Sequence, residues 1–295
     1  MDIRAIAMGL AFAVMWSSAF TSARVIVAAA PPVTSLAVRF VISGVVAIAV
    51  ARALGQGWRL TRGQWRATAV FGLCQNALYL GLFFVAMQTV EAGLAAIVAS
   101  SMPLIVAAAG WAMGAERLRP QAVAGLVAGL SGVVLIMGTR MSGGADMVGL
   151  ALCVVGVLAL AAATLSVRGA SAGGGNLLMI VGLQMLVGAA VLAPVALATE
   201  DWAVDWSVTL GLAFAYTVLV PGLAATLVWF VLVNRIGPVR AATFHFLNPV
   251  FGVGIAALML GEPVRGLDML GVAIITGGIL AVQLSRAVTP PPPPA

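Results

Sequence analysis

The sequence has no lysine, one histidine, two cysteines and two tyrosines, and only 8% of its residues are charged. So few charges cannot cover a water-soluble domain, because ordinary globular chains carry about three times that share. The cysteines, Cys74 and Cys153, both fall inside apolar runs. That excludes a disulfide framework and a cysteine metal site, and leaves them as small apolar core residues. No Asp or Glu stands in the middle of an apolar run. This argues against a proton relay of carboxylates, and it removes the usual anchor for a cationic drug. It also leaves none of the aspartate-rich motifs that a membrane prenyltransferase uses to hold magnesium diphosphate. Without lysine, a membrane serine hydrolase would need His245 as its base, and GLSG at 129–132 is not a GxSxG elbow. An intramembrane enzyme is therefore a distant alternative, and no cofactor or metal is expected.

What the chain does have is hydrophobic length: 62% of its 295 residues are apolar. A helix crosses the hydrocarbon with about 20 such residues. Ten runs of that kind can be drawn, roughly at 5–27, 33–53, 66–88, 93–114, 121–139, 147–167, 176–197, 208–233, 239–260 and 267–285. The first is too long for the core of a cleaved signal peptide, and its only preceding base is Arg4. We read it as a retained helix. All 15 basic residues are arginine, and their placement points to orientation in the membrane; no nucleic-acid partner is expected. With ten spans, Arg4, Arg52, Arg59, Arg62, Arg66, Arg117, Arg119, Arg168, Arg235, Arg240 and Arg286 share the face that holds both termini. Arg24, Arg39, Arg140 and Arg265 fall to the other face. Eleven against four predicts cytoplasmic termini. Trp58, Trp65, Trp111, Trp202 and Trp206 sit near run ends, as an interfacial belt does; Trp16 and Trp229 do not. The run of prolines in the tail at 289–295 favours an extended polyproline conformation.

The chain also repeats. Pro103, Glu116, Gly125 and Gly132 match Pro249, Glu262, Gly271 and Gly278, with spacings of 13, 9 and 7 in both sets. The same shift of 146 pairs Phe83 with Trp229 and Gln88 with Asn234. The fold expected is all-α: ten transmembrane helices in two five-helix repeats, 1–140 and 141–288, followed by the tail 289–295. Five is odd, so the second copy enters the membrane from the opposite face. An inverted repeat of this kind gives two related conformations around a site near the midplane.

The quoted segments PLIVAAAGWAMGAERLRPQAVAGLVAGLSG and PVFGVGIAALMLGEPVRGLDMLGVAIITGG resemble the EamA repeat of the drug/metabolite transporter superfamily. The first copy departs from it in having Ala115 before Glu116, where the second has Gly261 before Glu262. The resemblance spans nearly the whole chain. Among the branches, the chain looks most like the YddG-type exporters of aromatic amino acids in the bacterial inner membrane. The likeness implies a ten-helix basket with helices 1, 3, 4, 6, 8 and 9 around a cavity and helices 5 and 10 outside. Gly125 and Gly129 form a small-xxx-small pair that predicts close packing on a neighbouring helix. A dimer contact there stays open, so the chain is read as monomer or homodimer.

Polar side chains in hydrocarbon point inward or cost free energy, so they map the interior. Trp16 and Ser17 mark helix 1, and Gln75, Asn76 and Tyr79 mark helix 3. Ser100 lies on helix 4, Trp229 on helix 8, and His245 and Asn248 on helix 9. These are the candidate substrate contacts. Serines can instead bond back to their own helix, and a lone histidine can be a packing residue. Pro103 and Pro249 each free a carbonyl one turn back and bend the helix, which makes them candidate gating bends beside the site. The inferred cavity is aromatic, amide-bearing and uncharged, and suits an amphipathic small metabolite. With the resemblance, that becomes export of phenylalanine, tyrosine or tryptophan by alternating access in the bacterial inner membrane. The alternative is a flippase for a lipid or lipid-linked metabolite, with Arg24, Arg39 and Arg168 as its only basic candidates. Sodium coupling stays open, and His245 is the midplane group that titrates near neutrality.

Overall fold

The computed structural model describes residues 3–114, 119–142, 146–166, 176–236, 241 and 243–287. Glu116, Arg117, Arg168, Arg240 and the tail 289–295 lie outside the described residues, as do the side chains of Arg140, Asn234 and Arg286. Hydrocarbon offers a backbone no hydrogen-bond partner, so an apolar chain must satisfy its amides within each segment. The described residues accordingly form helices, with no strand among them. The helices are α1 (Ile3–Val27), α2 (Pro32–Ala53), α3 (Arg62–Ala86), α4 (Ala92–Ala112), α5 (Pro120–Ser142), α6 (Met147–Ser166), α7 (Leu177–Thr199), α8 (208–236), α9 (243–260) and α10 (Gly266–Ala287). Among the described residues, eight helices are long and apolar enough to cross a membrane, and two shorter apolar ones cover Phe244–Leu260 and Gly266–Val282. Their outer faces carry bare aliphatic side chains such as Val134, Val148 and Leu258. Trp58, Trp65, Trp111, Trp202 and Trp206 are exposed near helix ends, where an amphipathic ring meets both lipid and headgroup.

The helices pack in a two-fold pattern. α2 lies along α7, α5 along α10, and α4 against α9, while α1 on α8 mirrors α6 on α3. The α5–α10 crossing is as close as backbones allow. A Cβ added to Gly278 would lie 2.5 Å from the carbonyl oxygen of Gly125 and 2.7 Å from Cα of Gly129. Gly132 and Gly271 meet in the same seam. The glycine stripe therefore serves packing within one chain, and α10 occupies the face on which a dimer contact had been left open.

Side chains from the second half tie down helix starts in the first. Glu200 accepts from the amides of Val33 (2.8 Å) and Thr34 (2.7 Å) at the start of α2. Glu262 accepts from Ala92 (2.7 Å) and Gly93 (2.8 Å) at the start of α4. A carboxylate there meets unpaired N–H groups and the positive end of the helix dipole. Gly261, with φ 68°, ends α9 and turns Glu262 toward its target. Asp146 joins Thr89 (2.6 Å) to the amides of Val148 and Gly149. The Thr89 hydroxyl, followed by those amides, holds its carboxyl below the usual range. At the other end, which holds the start of α1 and the close of α10, two ties among the described residues are neutral. Gln56 accepts from Met179 (3.0 Å), and Asn176 accepts from Gly57 (3.1 Å). We call these the carboxylate end and the terminal end.

Arg39 departs from the sequence reading. Counted with the arginines of one membrane face, it lies two turns inside α2 and is 6% exposed. It therefore drops out of the charge tally, leaving Arg24, Arg140 and Arg265 against the eleven.

Gly278→Leu is expected to destabilise the fold by at least about 1–3 kcal/mol, the range for overpacking. Gly277→Leu, at a glycine with nothing within 4 Å of its Cβ position, is expected to be nearly neutral. Thermal unfolding in detergent separates the two.

Candidate binding cavity

Among the described residues, three segments wind as π or 3₁₀ turns, and all three border one cavity. Residues Gly72–Leu80 of α3 form a π-helix, Val218–Ala224 of α8 form another, and Thr243–Leu247 at the start of α9 form a 3₁₀ turn. Wide or tight turns of this kind shift the register of a helix face and recur at functional sites. The first brings Gln75, Asn76 and Tyr79 to the cavity wall, the second Pro221 and Gly222, the third His245. Pro221 has no N–H to give, so a widened turn accommodates it within α8.

The cavity has a volume of about 460 Å³, within the range of small-molecule sites. Its walls come from α1, α2, α3, α4, α6, α7, α8 and α9, and none of its lining residues belongs to α5 or α10. The resemblance left out α2 and α7, yet these add Arg39, Phe40 and Gln184. At the terminal end the cavity reaches Gln64, Thr164 and Leu177, all half-buried. Toward the carboxylate end it stops on Phe20, Phe83, Phe84 and Met87, all buried. Arg24 donates to the carbonyl of Met87 beyond that floor, which accounts for this arginine without an anionic lipid.

Two aromatic groups face the space. Phe12 stacks at a tilt on Trp229 (4.7 Å between centroids) and Trp16 (5.7 Å), and meets the His245 ring edge-on at 5.3 Å. Tyr79 lies 4.7 Å from Phe83, which in turn lies 6.0 Å from Phe20. Offset and edge-on rings of this kind make a stiff apolar wall.

The predicted residues divide into wall and support. Trp16, Gln75, Asn76, Tyr79, Trp229 and His245 line the cavity. Ser17, Ser100 and Asn248 are buried behind it. Ser17 donates to the carbonyl of Asn248 at 3.3 Å, fastening α1 to α9. Ser100 bonds back to Ala96 at 2.6 Å. The amide nitrogen of Asn248 faces Nδ1 of His245 at 3.0 Å. Nδ1 then accepts and Nε2 carries the proton, so Asn248 sets the imidazole that the cavity meets. Asn76 has a foot in each class: it lines the wall while its amide donates to the Gln184 carbonyl at 2.8 Å, across α3 and α7. Gly188 leaves room for it, since a Cβ there would be 2.6 Å from Cβ of Asn76. Pro103 and Pro249 stand outside the lining, just after the breaks at Ser101 and Thr243–Leu247. Sequence reasoning missed Arg39, Gln64, Thr164, Gln184, Pro221 and Thr226. Gln184 and the Pro221-Gly222 pair, in mid-run, were the visible signals.

This is the build of a membrane protein that holds a small molecule among its helices. The profile of the EamA-like transporter family matches residues 3–138 and again residues 147–284, and the chain belongs to that family. It is 26% identical over 283 residues to the uncharacterized inner membrane transporter YedA of Escherichia coli K12, covering 95% of this chain and 90% of YedA. The uncharacterized transporter YvbV of Bacillus subtilis is 24% identical over 276 residues, 93% of this chain and 90% of its own. The aromatic amino acid exporter YddG of Ancylobacter novellus is 35% identical over a shorter stretch of 115 residues, 39% of this chain and 40% of YddG. A solved crystal structure superposes with a TM-score of 0.70 at 22% identity, over 96% of this chain and 99% of its own; that agreement concerns the fold alone.

With both native cysteines changed to serine, Gln75→Cys is expected to react with a water-soluble maleimide on the order of tenfold faster than Ser100→Cys, because reaction follows thiol access. Labelling rates of the purified protein check the division into wall and support.

Proposed function

We propose that this transporter exports aromatic amino acids from the bacterial cytoplasm by alternating access. The observation that carries the reading is the composition of the cavity wall: Trp16, Trp229, Phe12 and Tyr79 beside the amides of Gln75 and Gln184, with no carboxylate among the described lining residues. An aromatic ring fits such walls, and the amides give hydrogen bonds to the polar end of the substrate. The stretch shared with an aromatic amino acid exporter supports the same substrate class, and the inner-membrane relative supports the location.

In this reading the two repeats, 1–140 and 141–288, are inverted copies that rock about the cavity. The matched pairs α2–α7, α4–α9 and α5–α10 support that symmetry. The arginine bias supports a cytoplasmic terminal end, and in that orientation this conformation accepts substrate from inside. Pro103 and Pro249 are the paired bends on which the walls move, and flux runs down the substrate gradient without an obligatory ion.

Proteoliposomes preloaded with unlabelled phenylalanine are expected to accumulate a labelled trace by counterflow. Tryptophan should compete and serine should not. Tyr79→Ala and Trp229→Ala are each expected to slow the flux on the order of tenfold, the loss of about 1.4 kcal/mol of contact. A protonophore should leave it unchanged. No accumulation by folded protein would refute the substrate class; strict proton dependence that vanishes in His245→Ala would refute the uncoupled mechanism.

A further inference from the structure

Arg39 is a cation buried in the wrong solvent. Its guanidinium lines the cavity and is 6% exposed. Its Nε has no hydrogen-bond partner, and no carboxylate pairs with it among the described residues. Its aromatic neighbour is Phe40, with 5.5 Å from Cζ to the ring centroid. That attraction is weak compared with the desolvation of a full charge. Snorkelling does not relieve it, because the group points into the protein and not along a lipid face.

The surroundings are shaped for something to join it. α8 packs Gly222 directly against it, where a Cβ would lie 3.7 Å from Nη2 of Arg39 and 3.4 Å from Oγ of Ser43. Ser43 stands one turn along α2, and its hydroxyl is a second buried group without a partner. On α7, the repeat counterpart of α2, Gln184 lines the same space, and its side-chain amide has no bond among the described residues. A planar fork of donors and an amide in the lining of one cavity, with an unpaired hydroxyl buried one turn from the fork, are donors short of an acceptor.

We infer that Arg39 is the anion anchor of the cavity and holds the carboxylate of the transported molecule through paired N–H···O bonds. Arginine suits that task better than lysine because its fork matches the two oxygens of a carboxylate and stays charged. The inference rests on the proposed amino-acid substrate and adds the group that reads its acid end. It replaces the uncharged cavity expected from sequence. It also gives the site polarity: the acid lies at Arg39, and the ring lies against the wall of Phe12, Trp16 and Trp229.

The test compares three probes of one shape on purified protein: phenylalanine, 3-phenylpropionate with the acid but no amine, and 2-phenylethylamine with the amine but no acid. Ligand-induced thermal stabilisation gives the affinities, with lactate and acetate as carboxylates without a ring. Wild type is expected to bind the two acids and discriminate against the amine. Arg39→Gln should weaken both acids roughly 10- to 100-fold, the loss of hydrogen bonds to a charged group, and leave the amine unchanged. Arg39→Lys should recover part of the difference. Wild type that binds the amine as well as 3-phenylpropionate overturns the inference even if Arg39→Gln fails to fold. So does an Arg39→Gln protein that keeps its acid affinity, or a wild type that binds no carboxylate at all. If only the ringless acids bind, and lose their affinity in Arg39→Gln, the anchor stands and the aromatic substrate class falls.

Discussion

Every feature of this molecule depends on one constraint: in hydrocarbon a backbone amide has no partner but the protein itself. A continuous α-helix meets the constraint anywhere. A π-turn or a 3₁₀ turn meets it only in places, and leaves groups that must be sheltered. The three irregular segments, Gly72–Leu80, Val218–Ala224 and Thr243–Leu247, are therefore informative by position. None is spent on the lipid face alone; each brings side chains to the same interior space. The irregularity is concentrated where water and a ligand can reach the freed groups, and the α5–α10 pair that faces away from the cavity is regular.

That division explains what could be read from the sequence. Ten apolar runs follow from composition, because the length needed to cross the bilayer is fixed. The repeat follows from the matched Pro103 and Pro249, with Glu262 showing what one of its motif residues does: it caps α4 of the other half. The wall residues on α3, α8 and α9 were legible because a glutamine, asparagine or histidine in lipid needs a reason. What was not legible was direction. Ser100 and Gln75 look alike as mid-run polar residues, yet the serine is short enough to reach its own helix carbonyl, and Gln75 is not tied that way. Asn248 sits behind His245 because the 3₁₀ turn at the start of α9 brings residues three apart into line, so that the amide bonds the ring and the ring meets the cavity.

Arg39 was misplaced for a different reason. Counting arginines by loop treats each as a marker of orientation, and most are. A single arginine drawn into a helix by a cavity is counted the same way as one held by a headgroup. The distinction lies in tertiary packing: α2 shares a wall with α8 through the space left by Gly222, which no periodicity in α2 reports.

The described ties at the two ends of the molecule differ in chemistry. At one end Glu200 and Glu262 grip bare helix starts, while Gln56 and Asn176 make neutral bonds at the other. A tie made by charge answers to the fluid it faces, since salt screens it. The carboxylate end thus carries a latch that loosens with the salt of the fluid bathing it, so the hold of one half on the other is set there partly from outside the protein.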